Sequence, residues 1–243
     1  MIDPKSRGSG AVDPESRGSG AVGPESKSLG SRAVDPKSES LGSRALEGNG
    51  AGLVREIALA SRIQRGLENL YRLDRSANVD DYVAEAGEGE RESLLVREHE
   101  GALELCLRLP RLEAGELDPV CQIIEGVSHF VYLADRAAQD RATTQLELEL
   151  QAEVDKYVVL ASSLDGFDAA SSRRLRARLY ERVAFTHERG TALGERYRIA
   201  NERAHRFTGR LERELVAPRR FEQLRAELRR FFHMSQSDKL RAA

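Results

Sequence analysis

Tryptophan is missing from this chain of 243 residues, and cysteine and methionine occur twice each. Cys106 and Cys121 stand apart with no C-x-x-C, so neither a disulfide framework nor a zinc-finger ligand set is available. Both read as reduced thiols acting as small buried hydrophobes. No run approaches the roughly 18 consecutive apolar residues of a membrane-spanning helix. The N-terminus also lacks the apolar core of a signal peptide, so the expected location is the cytoplasm. Catalytic signatures are absent too: there is no P-loop, no G-x-G-x-x-G after a strand, no G-x-S-x-G and no H-E-x-x-H. On that ground no catalytic residue is assigned, no cofactor or metal is expected, and an enzyme is the less favoured reading.

What the chain does have begins with repetition. MIDPKSRGSG, AVDPESRGSG, AVGPESKSLG and AVDPKSESLG are four copies of one ten-residue unit. Each offers a single Ala-Val or Met-Ile pair among Gly, Ser, Pro and charged residues, too little apolar surface to offset the entropy of ordering. Residues 1–50 are therefore expected to be a disordered low-complexity tail, and residues 51–243 one helical domain.

Helical periodicity dominates that domain. Leu53, Ile57, Ala60, Ile63, Leu67 and Leu70 recur every three or four residues and predict a first helix to about Leu73. The one β signal is SLLVREHEGALELCLRLP, where Leu103, Leu105, Leu107 and Leu109 alternate with Glu104, Cys106 and Arg108. It predicts a hairpin at about 93–109, turning at Gly101, with His99 solvated near the turn. Asp118-Pro119 marks a helix start running to about Ala138. Asp140 is taken as the cap of the next, through Leu146, Leu150, Val154, Tyr157 and Ala161. Three more helices follow. The expected architecture is a mainly α bundle of about six helices with one β-hairpin.

EGVSHF contains Glu125 and His129, one helical turn apart. On a helical wheel Val120, Ile123, Ile124, Val127, Val131 and Ala134 form one apolar arc. Glu125, His129, Tyr132 and Arg136 fall opposite it, so the pair is expected to be exposed and to bind no metal. Phe130 and Leu133 add a second apolar flank. Were another helix to cover that flank, Glu125 and His129 would turn inward toward Glu149 and Glu153. Four buried polar groups would then need a ligand or ion. Glu153, at the edge of its own apolar stripe, calls for a partner such as Lys156.

Charge is divided along the chain. Residues 81–168 hold 20 acidic and 7 basic side chains, and residues 169–243 hold 9 acidic and 19 basic. Arg203, Arg206, Arg210 and Arg213 line one helix face, suited to nucleic-acid phosphate or to an acidic protein surface. The Arg182-to-His187 spacing resembles the R-x4-6-H motif of the helical HEPN ribonucleases. Val183 stands where that family has a polar residue, so no family is assigned.

The sequence thus favours an interaction or adaptor protein that meets a protein partner, or a second copy, through its complementary charges. An arginine-mediated nucleic-acid binder is the alternative. A helical carboxylate/histidine metalloprotein or hydrolase is the second.

Overall fold

The computed structural model describes residues 52–74, 77–99 and 102–243. The repeat tail, the turn at Gly101 and the side chains of His99 and Leu103 lie outside the described residues. Within them the protein is mainly α, with seven α-helices and one small sheet. The helices are α1 (Val54–Tyr71), α2 (Asp118–Ala138), α3 (Gln145–Ser162), α4 (Ala169–Arg176), α5 (Ala192–Leu211), α6 (Phe221–His233) and α7 (Gln236–Ala242). The strands are β1 (Val83–Glu85), β2 (Ser93–His99) and β3 (Ala102–Leu109).

The hairpin forms as the leucine alternation predicts, with Leu94 opposite Leu107 and Val96 opposite Leu105. β1 joins it in parallel on the other side of β3, Val83 opposite Leu107. Three residues are too few for an alternation, so β1 carries no periodic signal of its own. Leu105, Leu107 and Leu109 are buried toward the helices. The sheet comes close to α2 at Gly126, where a β-carbon would stand 2.7 Å from Leu107 Cδ1. Glycine lets the sheet lie directly on the helix.

That helix is the centre of the molecule. α1, the sheet and α3 all pack against α2. The side read as exposed is therefore interior: Glu125, Tyr132 and Arg136 are all buried. Arg136 donates to the Met234 carbonyl at 2.9 Å.

Local chemistry sets the helix ends, with some departures from the expected caps. Leu117, not Asp118, is the N-cap of α2, and Pro119 lies in its first turn. Thr144, not Asp140, caps α3, in a reciprocal capping box with Glu147. Asp140 instead takes a left-handed turn conformation, φ 59°. Asp168 caps α4 through Ser171. After α4 the chain widens into a π-turn, Ala177–Glu181, and then leaves helical geometry until Ala192. Arg182 and His187 thus stand on an irregular segment, not on the helix that the arginine–histidine spacing implied.

α6 closes the bundle against α1. Phe232 stacks on Tyr71 with ring centroids 4.3 Å apart, and Arg229 Nε donates to the Leu70 carbonyl at 2.6 Å. α7 then plugs the end of the core. Its Lys239 is fully buried and donates to Gln151 Oε1 at 2.6 Å, with the ammonium 4.3 Å from the Tyr132 ring centre. Gln151 belongs to a buried polar knot on Asp155, which also accepts from Tyr71 and from Ser128 (2.6 Å).

Candidate functional site

Three helices and one strand end supply a second polar cluster inside the fold. α2 carries Glu125 and His129; α3 carries Glu149, Glu153 and Lys156; α5 adds Arg196 and Tyr197. Glu92, just before β2, is the fourth carboxylate. Its N–H donates to Gln122 of α2 at 3.1 Å, and its Cγ lies 3.5 Å from the position a Gly126 β-carbon would take.

Glu125, His129 and Glu149 each offer a donor atom within 4.8 Å of the other two. His129 Nε2 lies 3.7 Å from Glu149 Oε2, and the side chain is 13% exposed. The atom itself is buried without a hydrogen-bond partner. Burial pulls the imidazole below its usual pKa, outweighing the opposite pull of Glu125, so the ring is neutral near pH 7. A hydrogen bond to the Leu148 backbone engages the ring, leaving Nε2 as its free acceptor. An acceptor facing carboxylate oxygens in a dry place is unfavourable unless a proton or a cation lies between them.

The neighbours divide the charge unequally. Lys156 Nζ lies 2.8 Å from Glu153 and 3.1 Å from Glu125. Burial alone would lower this lysine, but the two carboxylates outweigh it and hold it well above its usual pKa. Burial would likewise raise Glu125, and Lys156 overcomes it, keeping that carboxyl below its ordinary range. Glu149 has less help. Burial, then the charge of Glu125, push it up to about 8, although Arg196 Nε is 3.5 Å away. Burial and Glu125 push Glu92 up to about 9. Arg91 is already paired with Asp118 at 3.3 Å. Lys156 thus serves Glu125 and Glu153, whose carboxyl burial nonetheless raises, and Arg196 serves Glu149. Glu149 and Glu92, the two pushed highest, hold protons at neutral pH.

A cavity of about 440 Å³ opens onto this cluster. Glu92, Glu125, Glu153 and Lys156 line it with Phe185, His187 and Tyr197; His129 and Glu149 do not. His187 stacks on Tyr197, ring centroids 5.2 Å apart.

All four residues of the predicted polar cluster therefore come together, but as an interior site and not as a solvated face. The covering helix is α3. Sequence reasoning missed Glu92, Arg196 and Tyr197. Glu92 stands in an acidic loop with no periodicity, and no local pattern ties Arg196 or Tyr197 to the Glu125–His129 pair.

The arginine stripe has a different fate. Arg206 pairs with Glu202, Arg203 donates to the Leu240 carbonyl at 3.3 Å, and Arg210 donates to Glu227 at 2.8 Å. These partners belong to the basic half of the chain, so the stripe is partly neutralised by its own neighbours. With Arg230 and Arg241 the stripe borders a shallow, open depression. Both cysteines are free, and burial raises both thiols, Cys121 to about 11, which leaves them unreactive.

No helix among the described residues is long and apolar enough to cross a membrane. No protein-family model, no curated protein and no solved structure matches the chain.

Proposed function

We propose that this protein binds a divalent first-row metal ion at Glu125, His129 and Glu149, and that the adjoining cavity makes the site a hydrolytic centre. One observation carries the reading: the buried, partnerless Nε2 of His129 aimed at two carboxylates. A neutral imidazole with two carboxylates is the donor set of manganese, iron and zinc sites, and three protein ligands leave coordination positions open. Such an ion supplies an activated water at neutral pH. The chain's own residues do the rest. Lys156 fixes Glu125 and Glu153, Arg196 steadies Glu149, and Glu92 holds a proton at the cavity wall that it can give to a leaving group.

The charge balance makes the proposal specific. The excess of two carboxylates is met by two protons in the metal-free protein, on Glu92 and Glu149. Glu149 is a ligand and must give up its proton to bind the ion, so uptake should expel about one proton near pH 7, while Glu92, outside the ligand set, keeps its own. Titration calorimetry of chelator-stripped full-length protein with manganese or zinc, in buffers of different ionisation enthalpy, measures this directly. Stoichiometric binding with proton release, lost in His129→Ala, is the expected result. Failure to take up manganese, iron or zinc, or equal binding by that variant, would end the reading.

An interaction role keeps one support of its own. β2 is an edge strand among the described residues, and its Leu95 and Val96 are 41% and 37% exposed. A protein partner could add a strand there.

A further inference from the structure

A larger cavity, about 700 Å³, lies between α1, α3 and α6, and its lining is distinct from the carboxylate cluster. We propose that it binds a long-chain anionic amphiphile, a fatty acid or its like, with the alkyl chain along the apolar walls and the acid group on Arg62.

Three observations support this. The volume lies within the roughly 300–1,000 Å³ of pockets that hold small molecules. The walls are chiefly apolar, among them Leu59, Leu70, Val158, Phe167 and Leu224. The second observation is Gly66, in the interior of the 18-residue α1. A β-carbon there would meet nothing within 4 Å. Glycine in a helix interior costs about 1 kcal/mol relative to alanine, and here no close contact demands it. Its effect is to leave the trough open along one wall. Third is the charge. No Asp or Glu lines the cavity, in a chain whose net charge is −2; its only charged lining residues are Arg62 and Arg225. Arg225 is bound to Glu222 at 2.5 Å. Arg62, one helical turn before Gly66, has no ion pair or hydrogen bond among the described residues. The hydroxyls of Ser162 and Ser163 are spent on the carbonyls of Val159 and Leu160. The cavity therefore offers extended apolar surface and a single free cationic donor, which matches a ligand with one acid group and one long chain.

The test uses the full chain and cis-parinaric acid, a fluorescent fatty acid, with palmitate as competitor and methyl palmitate as the head-group control. Micromolar parinarate binding displaced by palmitate is expected, with methyl palmitate weaker by about tenfold. Arg62→Gln should remove that preference for the acid and leave the ester unchanged. Gly66→Leu should fill the trough and abolish binding of both. It replaces a poor helix former by a good one, so a retained or raised Tm will show that the variant is folded. The proposal falls if the wild type does not bind parinarate, if Gly66→Leu binds it as well as wild type, or if acid and ester compete equally. Failure to bind because the repeat tail or a second copy fills the trough counts equally against it. Because the lining is separate, metal uptake at His129 stands or falls independently of this result.

Discussion

His129 Nε2 and Glu149 Oε2 face each other across 3.7 Å, too far for a hydrogen bond, and the imidazole nitrogen is buried without a partner. A site arranged for stability alone would place an apolar side chain there. His129→Leu should therefore leave the metal-free protein at least as stable as wild type, since it replaces a buried unsatisfied acceptor with a shape-compatible hydrophobe. The same change should remove all stabilisation by added manganese or zinc. Thermal unfolding with and without metal checks both halves, and a large loss of Tm in the metal-free variant would show that the imidazole is structural.

Glu92 and Glu149 set a pH dependence. Their folded pKa values, about 9 and about 8, are raised above the ordinary carboxylate value. The folded state therefore holds more protons than the unfolded one between about pH 4.5 and pH 9, and stability falls as pH rises through that window. Metal-free protein should be most stable near the acid end of that window and weaken steadily toward pH 9. Glu149→Gln should flatten the upper part of the curve. Urea unfolding at a series of pH values measures the slope, and stability rising between pH 6 and pH 9 would contradict it.

Gly126 is where the sheet meets α2. Gly126→Ala places a methyl group 2.7 Å from Leu107 Cδ1, against a strand fixed by pairing on both sides. The cost should be about 1–3 kcal/mol despite alanine's better helix propensity. Gly66→Ala in α1, where nothing lies within 4 Å, should instead stabilise by about 0.5–1 kcal/mol. Denaturant midpoints of the two variants separate a packing glycine from one that keeps a trough open.

Arg210 and Arg213 belong to one stripe but differ in environment. Arg210 is held by Glu227 at 2.8 Å and by the Ala242 carbonyl at 3.2 Å; Arg213 is exposed. Arg210→Gln should cost about 0.5–1.5 kcal/mol and Arg213→Gln close to nothing. If both are silent in unfolding yet both weaken retention on a polyanion resin at low salt, the stripe serves nucleic acid rather than the fold.

These contrasts also show what the sequence could and could not reveal. The leucine alternation of β3 and the apolar spacing of α1 were visible because each depends on a local period. The Thr144–Glu147 capping box was also written in the chain, as T-x-x-E, but Asp140 offered a competing start four residues earlier. The burial of His129 was not local. A wheel assigns one stripe to the core, and α2 has two neighbours. The apolar flank of Phe130 and Leu133 hinted at the second, but only tertiary packing could decide that α3 lies across it. Glu92 was least accessible of all: its loop has no period, and its role depends on β2 being drawn onto Gly126.

The closure of α6 on α1 has a consequence in time. Arg229 and the Leu70 carbonyl it caps are 159 residues apart in the chain. At about 5–20 residues per second of synthesis, α1 waits some 8–30 s for the partner that covers Tyr71. During that interval its apolar face has only earlier elements to lean on. Contacts of such long sequence separation also slow refolding, because the loop must close before they return any energy. A nascent chain halted between α1 and α6 should therefore be a client for chaperones, while one carrying α6 should not.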